Sequence, residues 1–300
     1  MDALRSLLEG GVDVDNRDEL GRTPLHYAKD RQVAELLVSR GADVAAEAND
    51  AMTPLHHARD AGIAELLLSR GASVDARNII SNTPLHDAGS YSAPVAALLL
   101  AHGAEVNARG HSRDTPLHSV RSAAAAEVLI AHGADIHARN DFGSTPLHWV
   151  MEAALVDLLV AHGADVNARD NDGRTSLHNT VGSYVDFDKA AVIHRLLTHG
   201  AHVDARDNDG RTPLHHAREP EVARLLIKKG ADVNARDNER SRPWDVAKKR
   251  GNEPLLSLFS EQGGHGRTPV RDIVFPVLAS GLLASLLLLV LLRLKKLRKH

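Results

Sequence analysis

Apolar and polar positions along this chain recur in one fixed order. A box Thr-Pro-Leu-His begins at Thr23, Thr53, Thr83, Thr115, Thr145 and Thr212, with the variant Thr-Ser-Leu-His at Thr175. Each box opens a short apolar stretch. A second stretch follows with a Leu pair, as in Leu36-Leu37, Leu66-Leu67, Leu158-Leu159 and Leu225-Leu226. Then come a Gly (41, 71, 103, 133, 163, 200 and 230), a segment close to Ala-Asp-Val-Asn-Ala-Arg, and a polar turn into the next box. The boxes start 30, 30, 32, 30, 30 and 37 residues apart, and a degenerate copy, "RPWD" from Arg242, follows after another 30. The pattern predicts two short helices per unit. Self-similarity at this period predicts a solenoid, in which each unit buries its apolar face against its neighbours.

The box has a physical logic. Thr (Thr23, Thr53, Thr83, Thr115, Thr145, Thr175, Thr212) suits the N-cap of the first helix. Pro at the first helical position has its φ preset and loses no needed N–H, and Leu points into the stack. The His of each box (His26, His56, His86, His118, His148, His178, His215) can bridge to backbone groups of the turn. The Gly after the second helix is placed for a left-handed C-cap. The turn beyond it carries another Gly at 21, 143, 173 and 210, but Ala51, Ser81, Arg113 and Arg240 stand at that position elsewhere, which predicts looser or differently shaped tips there.

These features resemble the ankyrin repeat, over about residues 1–260. The resemblance implies an all-α ankyrin-repeat solenoid of helix-turn-helix units with hairpin-like connecting loops. It implies a structural role for the box His, and a concave face, lined by first helices and hairpin tips, that holds protein partners. Most units are three residues shorter than the family's usual length, so "TPLHYAKDRQVAELL" must have shorter helices or a tighter join. The unit at Thr175 instead inserts "VGSYVDFDK", with Tyr184 and Phe187, between its helices. Residues 2–9 supply only a second-helix equivalent as an N-terminal cap. "WDVAKKRGNEPLLSLF" closes the other end, with Lys248, Lys249 and Arg250 turned to water. A solenoid needs such polar ends.

Beyond the repeats, 261–272 reads as a flexible Gly-rich linker and 293–300 as a basic tail. Residues Ile273 to Leu292 form an uncharged apolar run, matching the ~20 residues needed to cross a bilayer. The expectation is a single-pass C-terminal transmembrane anchor. Its small residues Ser280, Gly281, Ala284 and Ser285 permit weak self-association. The N-terminus shows no signal peptide, which favours a cytoplasmic solenoid, whereas the basic tail favours the cytoplasm for itself. Net charge is -3 and the tail is basic, so the remainder is acidic and does not suit nucleic acid. Aromatics are 3% of the chain, so the core must be aliphatic, and with no cysteine thiol chemistry is out.

The 19 histidines invite a metal reading, but the repeat itself places most of them, and no HExxH or clustered ligand set appears. The "DNDG" segments at Asp170 and Asp207 fail as calcium loops, because the twelfth positions are Asn179 and His216 rather than Glu. There is no phosphate loop or nucleophile elbow, hence no expected catalysis, cofactor or small-molecule substrate. What varies inside the frame is the residue after the box. Tyr27, His57, Asp87, Trp149, Asn179 and His216, with the apolar tip residues Ile79, Ile80 and Phe142, form the candidate partner-binding set. The function that follows is a non-enzymatic, membrane-anchored scaffold or adaptor. The alternative is an accessory subunit of a membrane complex, associating through its transmembrane helix.

Overall fold

A computed structural model describes residue 6 and residues 9–264 of the chain. The apolar run 273–292, expected to span a membrane, lies outside the described residues, as do most of the linker, the basic tail and most of the N-terminal half-repeat. Among the described residues no helix is long and apolar enough to cross a membrane.

Each compact unit saves length in its first helix. Pro24–Tyr27, Pro54–His57, Pro116–Ser119, Pro146–Trp149 and Pro213–His216 are single turns. The chain then turns extended, as at Ala58 (ψ 112°), and in units one, two and four a polar side chain caps the second helix, whereas Glu152 and Glu219 precede theirs without a cap bond. Asp30 accepts from the N–H groups of Gln32 and Val33, and Asp60 from that of Ile63. The second helices of the compact units, among them Arg31–Ser39, Ala61–Ser69 and Ala153–Ala161, run nine residues. Where the spacing is wider the first helix lengthens, to Pro84–Tyr91 and Ser176–Gly182.

First helices stack on first helices and second on second, so the molecule has two helical layers with an aliphatic seam between them. The box Leu residues (such as Leu55, Leu85 and Leu147) and one Leu of each pair (Leu37, Leu67, Leu159) are at most 2% exposed. No strand occurs among the described residues.

The Thr-His pair forms a capping box in which His, at the third helical position, takes the place of the usual Glu. In the first unit the Thr23 N–H donates to His26 Nδ1 (3.1 Å), and Nε2 meets the Met52 carbonyl, one residue before the next box, at 3.0 Å. All seven boxes repeat this bond, ending with His215 on Ser241. Nδ1 accepts and Nε2–H donates, so each ring is the neutral Nε2–H tautomer and ties its unit to the next.

The tips correct one expectation. Ala51, Ser81 and Arg240 take φ of 57°, 65° and 62°, the same left-handed turn that Gly21 and Gly210 take at 73° and 74°. The reason lies in the neighbouring tip. A Cβ on Gly21 would stand 2.3 Å from Asn49 Oδ1, and one on Gly210 2.3 Å from Asn238 Oδ1. Those Asn side chains reach back to donate to the preceding tip's carbonyls, Glu19 and Asn208. After Ala51, Ser81 and Arg113 the facing residue is Ile79, His111 or Asp141, and Arg240 has no following tip among the described residues. Glycine stands only where the next tip carries Asn.

The fourth tip does differ in shape. Ser112 and Arg113 are both left-handed (50° and 58°), and the His111 N–H donates to Asn82 Oδ1 instead of to a backbone carbonyl of the third tip. Elsewhere the tips are joined by backbone bonds, for example Asn171 N–H to Phe142 O at 2.9 Å. The Arg of the Asn-Ala-Arg segment forms a further ladder. Arg109 donates to Arg139 O and Arg139 to Arg169 O, at 3.0 and 2.8 Å.

At the C-terminal cap Lys248, Lys249 and Arg250 are all exposed, and the Arg250 guanidinium also donates to the His215 and Ala217 carbonyls, at 3.3 and 3.2 Å. It joins the groove described next.

Candidate functional site

Standing one turn into each first helix, the residues after the box form a row, one per unit. The row is not uniform. The Tyr27 hydroxyl donates to Asp18 in its own turn (2.6 Å), under the Arg22 guanidinium. His57 packs edge-on against His26, its Nε2 is buried without a partner, and burial pushes its pKa down to about 4. These two belong to the local packing of units one and two, while Ile79 and Ile80 are exposed on the third tip and line neither of the two grooves described below.

Further along, the same positions converge. Phe142, Trp149, Asn179 and His216 line one groove of about 540 Å³ across units five to seven. Trp149 is 44% exposed and Phe142 56%. His216 donates from Nε2 to Asp207 (2.8 Å) and stands edge-on to His178. Burial holds His216 neutral against the pull of Asp207, whose carboxylate is kept ionised by His216 and by the Arg211 N–H.

The inserted segment of unit six forms the far wall. Tyr184, 81% exposed, lies flat on the Arg218 guanidinium at 3.7 Å from the ring centre, and Arg218 Nε donates to Gly182 O. The buried Lys189 ammonium binds Ser183 O and Glu219, pinning the segment at its base. Sequence reasoning noted the insertion and its aromatics without assigning them to the binding set. The missed signal was the one unit whose added length carries Tyr and Phe in a chain poor in both.

A second groove of about 280 Å³ lies on the other side of Trp149, with Asp87 in it. Asp87 Oδ2 is buried with no hydrogen-bond partner, and burial raises its pKa to about 6, partly countered by Arg59. The folded-state value lies above the unfolded one, so Asp87 is harmless below pH ~4 and destabilises the fold as pH rises through about 6. Asp87→Asn removes the charge and keeps the shape. It is expected to stabilise the protein at pH 8 by on the order of 2 kcal/mol, with the gain vanishing below pH ~4. Urea titrations at both pH values check this.

Models of the family described as ankyrin repeats match residues 117–187 and 152–237, and the single ankyrin-repeat model matches residues 20–49 and 50–79, together more than half of the chain. The chain belongs to the ankyrin-repeat family. The stack is therefore built from protein–protein interaction modules. A curated relative, the putative ankyrin repeat protein FPV233 of Fowlpox virus (strain NVSL), is 49% identical over 45 residues. That alignment covers 14% of this chain and 9% of the relative. The four matched regions include most first helices of the ankyrin stack and every tip that lines the larger groove.

Proposed function

We propose that this protein is a membrane-attached scaffold whose ankyrin stack docks a protein partner in the groove across units five to seven. One observation carries this reading. Trp149, Phe142 and Tyr184, three of the few aromatics of the chain, are all exposed and converge on one cleft. Exposed aromatics cost solubility, and clustered ones supply the anchors of interface hot spots. Repeat packing alone does not require them, because the equivalent position is Ser119 in unit four and Asn179 in unit six. No catalytic role is assigned to the groove. Its histidines are spent on the inter-unit bonds or on Asp207.

The apolar run 273–292 supplies the proposed membrane attachment, which would raise the local concentration of whatever is bound. Alkaline carbonate extraction tests it. The full chain should stay with the membrane pellet and a chain lacking 273–292 should be released, whereas release of both rejects the anchor. For the groove, a photo-crosslinking residue at position 149 should capture a partner in cells, and one at the exposed His102 should not. Tyr184→Ala should weaken the capture at 149. Equal capture at both positions would reject the groove.

A further inference from the structure

We infer that the groove recognises an acidic segment of its partner protein, a carboxylate side chain beside an apolar one, with Arg218 and Arg250 binding the carboxylate and Trp149 the apolar neighbour. The inference rests on the docking groove proposed above and adds its chemistry.

Four guanidinium groups line the groove, Arg174, Arg211, Arg218 and Arg250, against two carboxylates, Asp170 and Asp172. Two of the four are matched within the fold. Arg174 lies 3.5 Å from Asp172, and Arg211 lies near Asp209 (3.2 Å) and Asp237 (3.5 Å). The Asp170 carboxylate accepts from the Asp172 and Arg174 N–H groups of its own turn. The groove histidines, His148, His178 and His216, are neutral near pH 7 because burial lowers all three.

Arg218 and Arg250 are different. Among the described residues neither is paired with a carboxylate. Each is held by backbone carbonyls instead: Arg218 through Nε on Gly182, Arg250 through Nη1 on His215 and Ala217. Burial, and the repulsion of Arg218 and Arg211, loosen the proton on Arg250. Such crowding is unfavourable in the free protein and is relieved by an anion. The Tyr184 ring covers one face of Arg218 and Gly182 O takes its Nε, while a guanidinium carries two further Nη groups, the fork that a carboxylate accepts in two parallel bonds.

The occupant's class follows from placement. The cations line one cleft together with Trp149 and Tyr184, so a ligand that pairs charge with apolar surface fits it. They form a cluster and not a track, and a nucleic acid strand requires a track of cations along its phosphates. A short peptide fits both the volume and the pairing of charge with aromatic surface.

The test uses the full chain in a nonionic detergent and fluorescence anisotropy of labelled peptides. The probe alternates Glu and Leu, with controls in which Glu becomes Gln or Lys. The Glu peptide should bind, weaken with salt, and exceed the Gln and Lys peptides by about tenfold or more. Arg218→Glu combined with Arg250→Glu should remove that advantage, and Arg218→Lys should keep part of it; melting curves confirm that the variants are folded. Equal binding of the Gln peptide, unchanged binding by the folded double variant, or no binding by any peptide overturns the inference. Preference for phosphatidylserine vesicles or an oligothymidine probe over the Glu peptide overturns it as well. Trp149→Ala separates the two levels. If the Gln peptide binds and Trp149→Ala weakens it, the groove stands and only its acidic specificity falls. If Trp149→Ala changes no binding at all, the groove itself falls.

Discussion

Acidification from pH 7 to pH 4 is expected to melt the ankyrin stack, with the transition set by the seven box histidines. Each Nδ1 accepts the N–H of its own Thr and each Nε2–H is committed to the next unit. A proton can enter only at Nδ1, where it faces a donor. Burial is the largest cause lowering the pKa of all seven: His26, His56, His86, His118, His148, His178 and His215. A histidine depressed in the folded state contributes stability that is present above the unfolded pKa near 6.5 and lost as pH falls toward the folded value. For His178, lowered to about 4, this is roughly 3 kcal/mol at full loss. Six further groups shift the same way, and a whole domain is typically worth only about 5–15 kcal/mol. Asp87 and Asp204 oppose the trend, because burial raises both and their protonation on acidification relieves strain, but they are two groups against the seven box histidines, and His57 and His216 shift with the seven. Circular dichroism melts of the full chain between pH 7 and pH 4 provide the check. A midpoint that does not fall across that range would refute the ladder's role. The ¹⁵N shifts of the imidazoles at pH 7 should show seven Nε2–H tautomers.

The second large effect is expected at Gly210. The residue has φ 74°, and an added Cβ would lie 2.3 Å from Asn238 Oδ1. Gly210→Ala therefore combines the left-handed penalty, about 1 kcal/mol, with loss of the 3.0 Å bond from Asn238 Nδ2 to Asn208 O. A total destabilisation of about 2–4 kcal/mol is expected. Asn238→Ala alone should cost about 1 kcal/mol. The double variant should cost clearly less than the sum of the two, with a coupling of about 1 kcal/mol or more. Gly230→Ala is the control: φ is 96°, nothing lies within 4 Å of the added Cβ, and only the backbone penalty applies. Additive costs in the 210/238 cycle would show that the Asn side chain does not dictate the Gly. The chain already contains the compensated state at Ala51 with Ile79 and at Arg113 with Asp141, where the tip-to-tip bonds survive at 3.0 and 2.9 Å.

The repeat, the two-helix unit and its Pro-opened first turn were legible in the residue order, because capping, proline placement and apolar spacing are local properties that each unit repeats. That each unit is compact was legible too, but the residue order left shorter helices or a tighter join open, and the structure placed the shortening in the first helix. The tips were misjudged for a physical reason. A missing Gly looked like a loosened turn when each tip was considered alone, but the identity at Ala51 or Gly210 is decided by the side chain stacked on it some 30 residues later. The pairing of Gly with the next Asn was present in the residue order and became meaningful only once the tips were known to touch.

The candidate site divides along the same line. Local order sufficed to put Tyr27, His57, Asp87, Trp149, Asn179 and His216 at equivalent positions and to mark the insertion at unit six as exceptional. It could not separate Tyr27 and His57, absorbed by neighbours within hydrogen-bond or ring contact, from Trp149, Asn179 and His216, which share a cleft. Nor could it fold Arg250 back from the capping end or lay Tyr184 on Arg218, 34 positions away. By itself the sequence determined the unit and its register, since capping, proline placement and apolar spacing depend on residues only a few positions apart, whereas the neutral histidine reaches a carbonyl of the next unit and owes its neutrality to burial in the stack. Only the tertiary structure decided where charge is left uncompensated and which aromatic faces stay open, because both are sums over side chains that the stacking of successive units brings together.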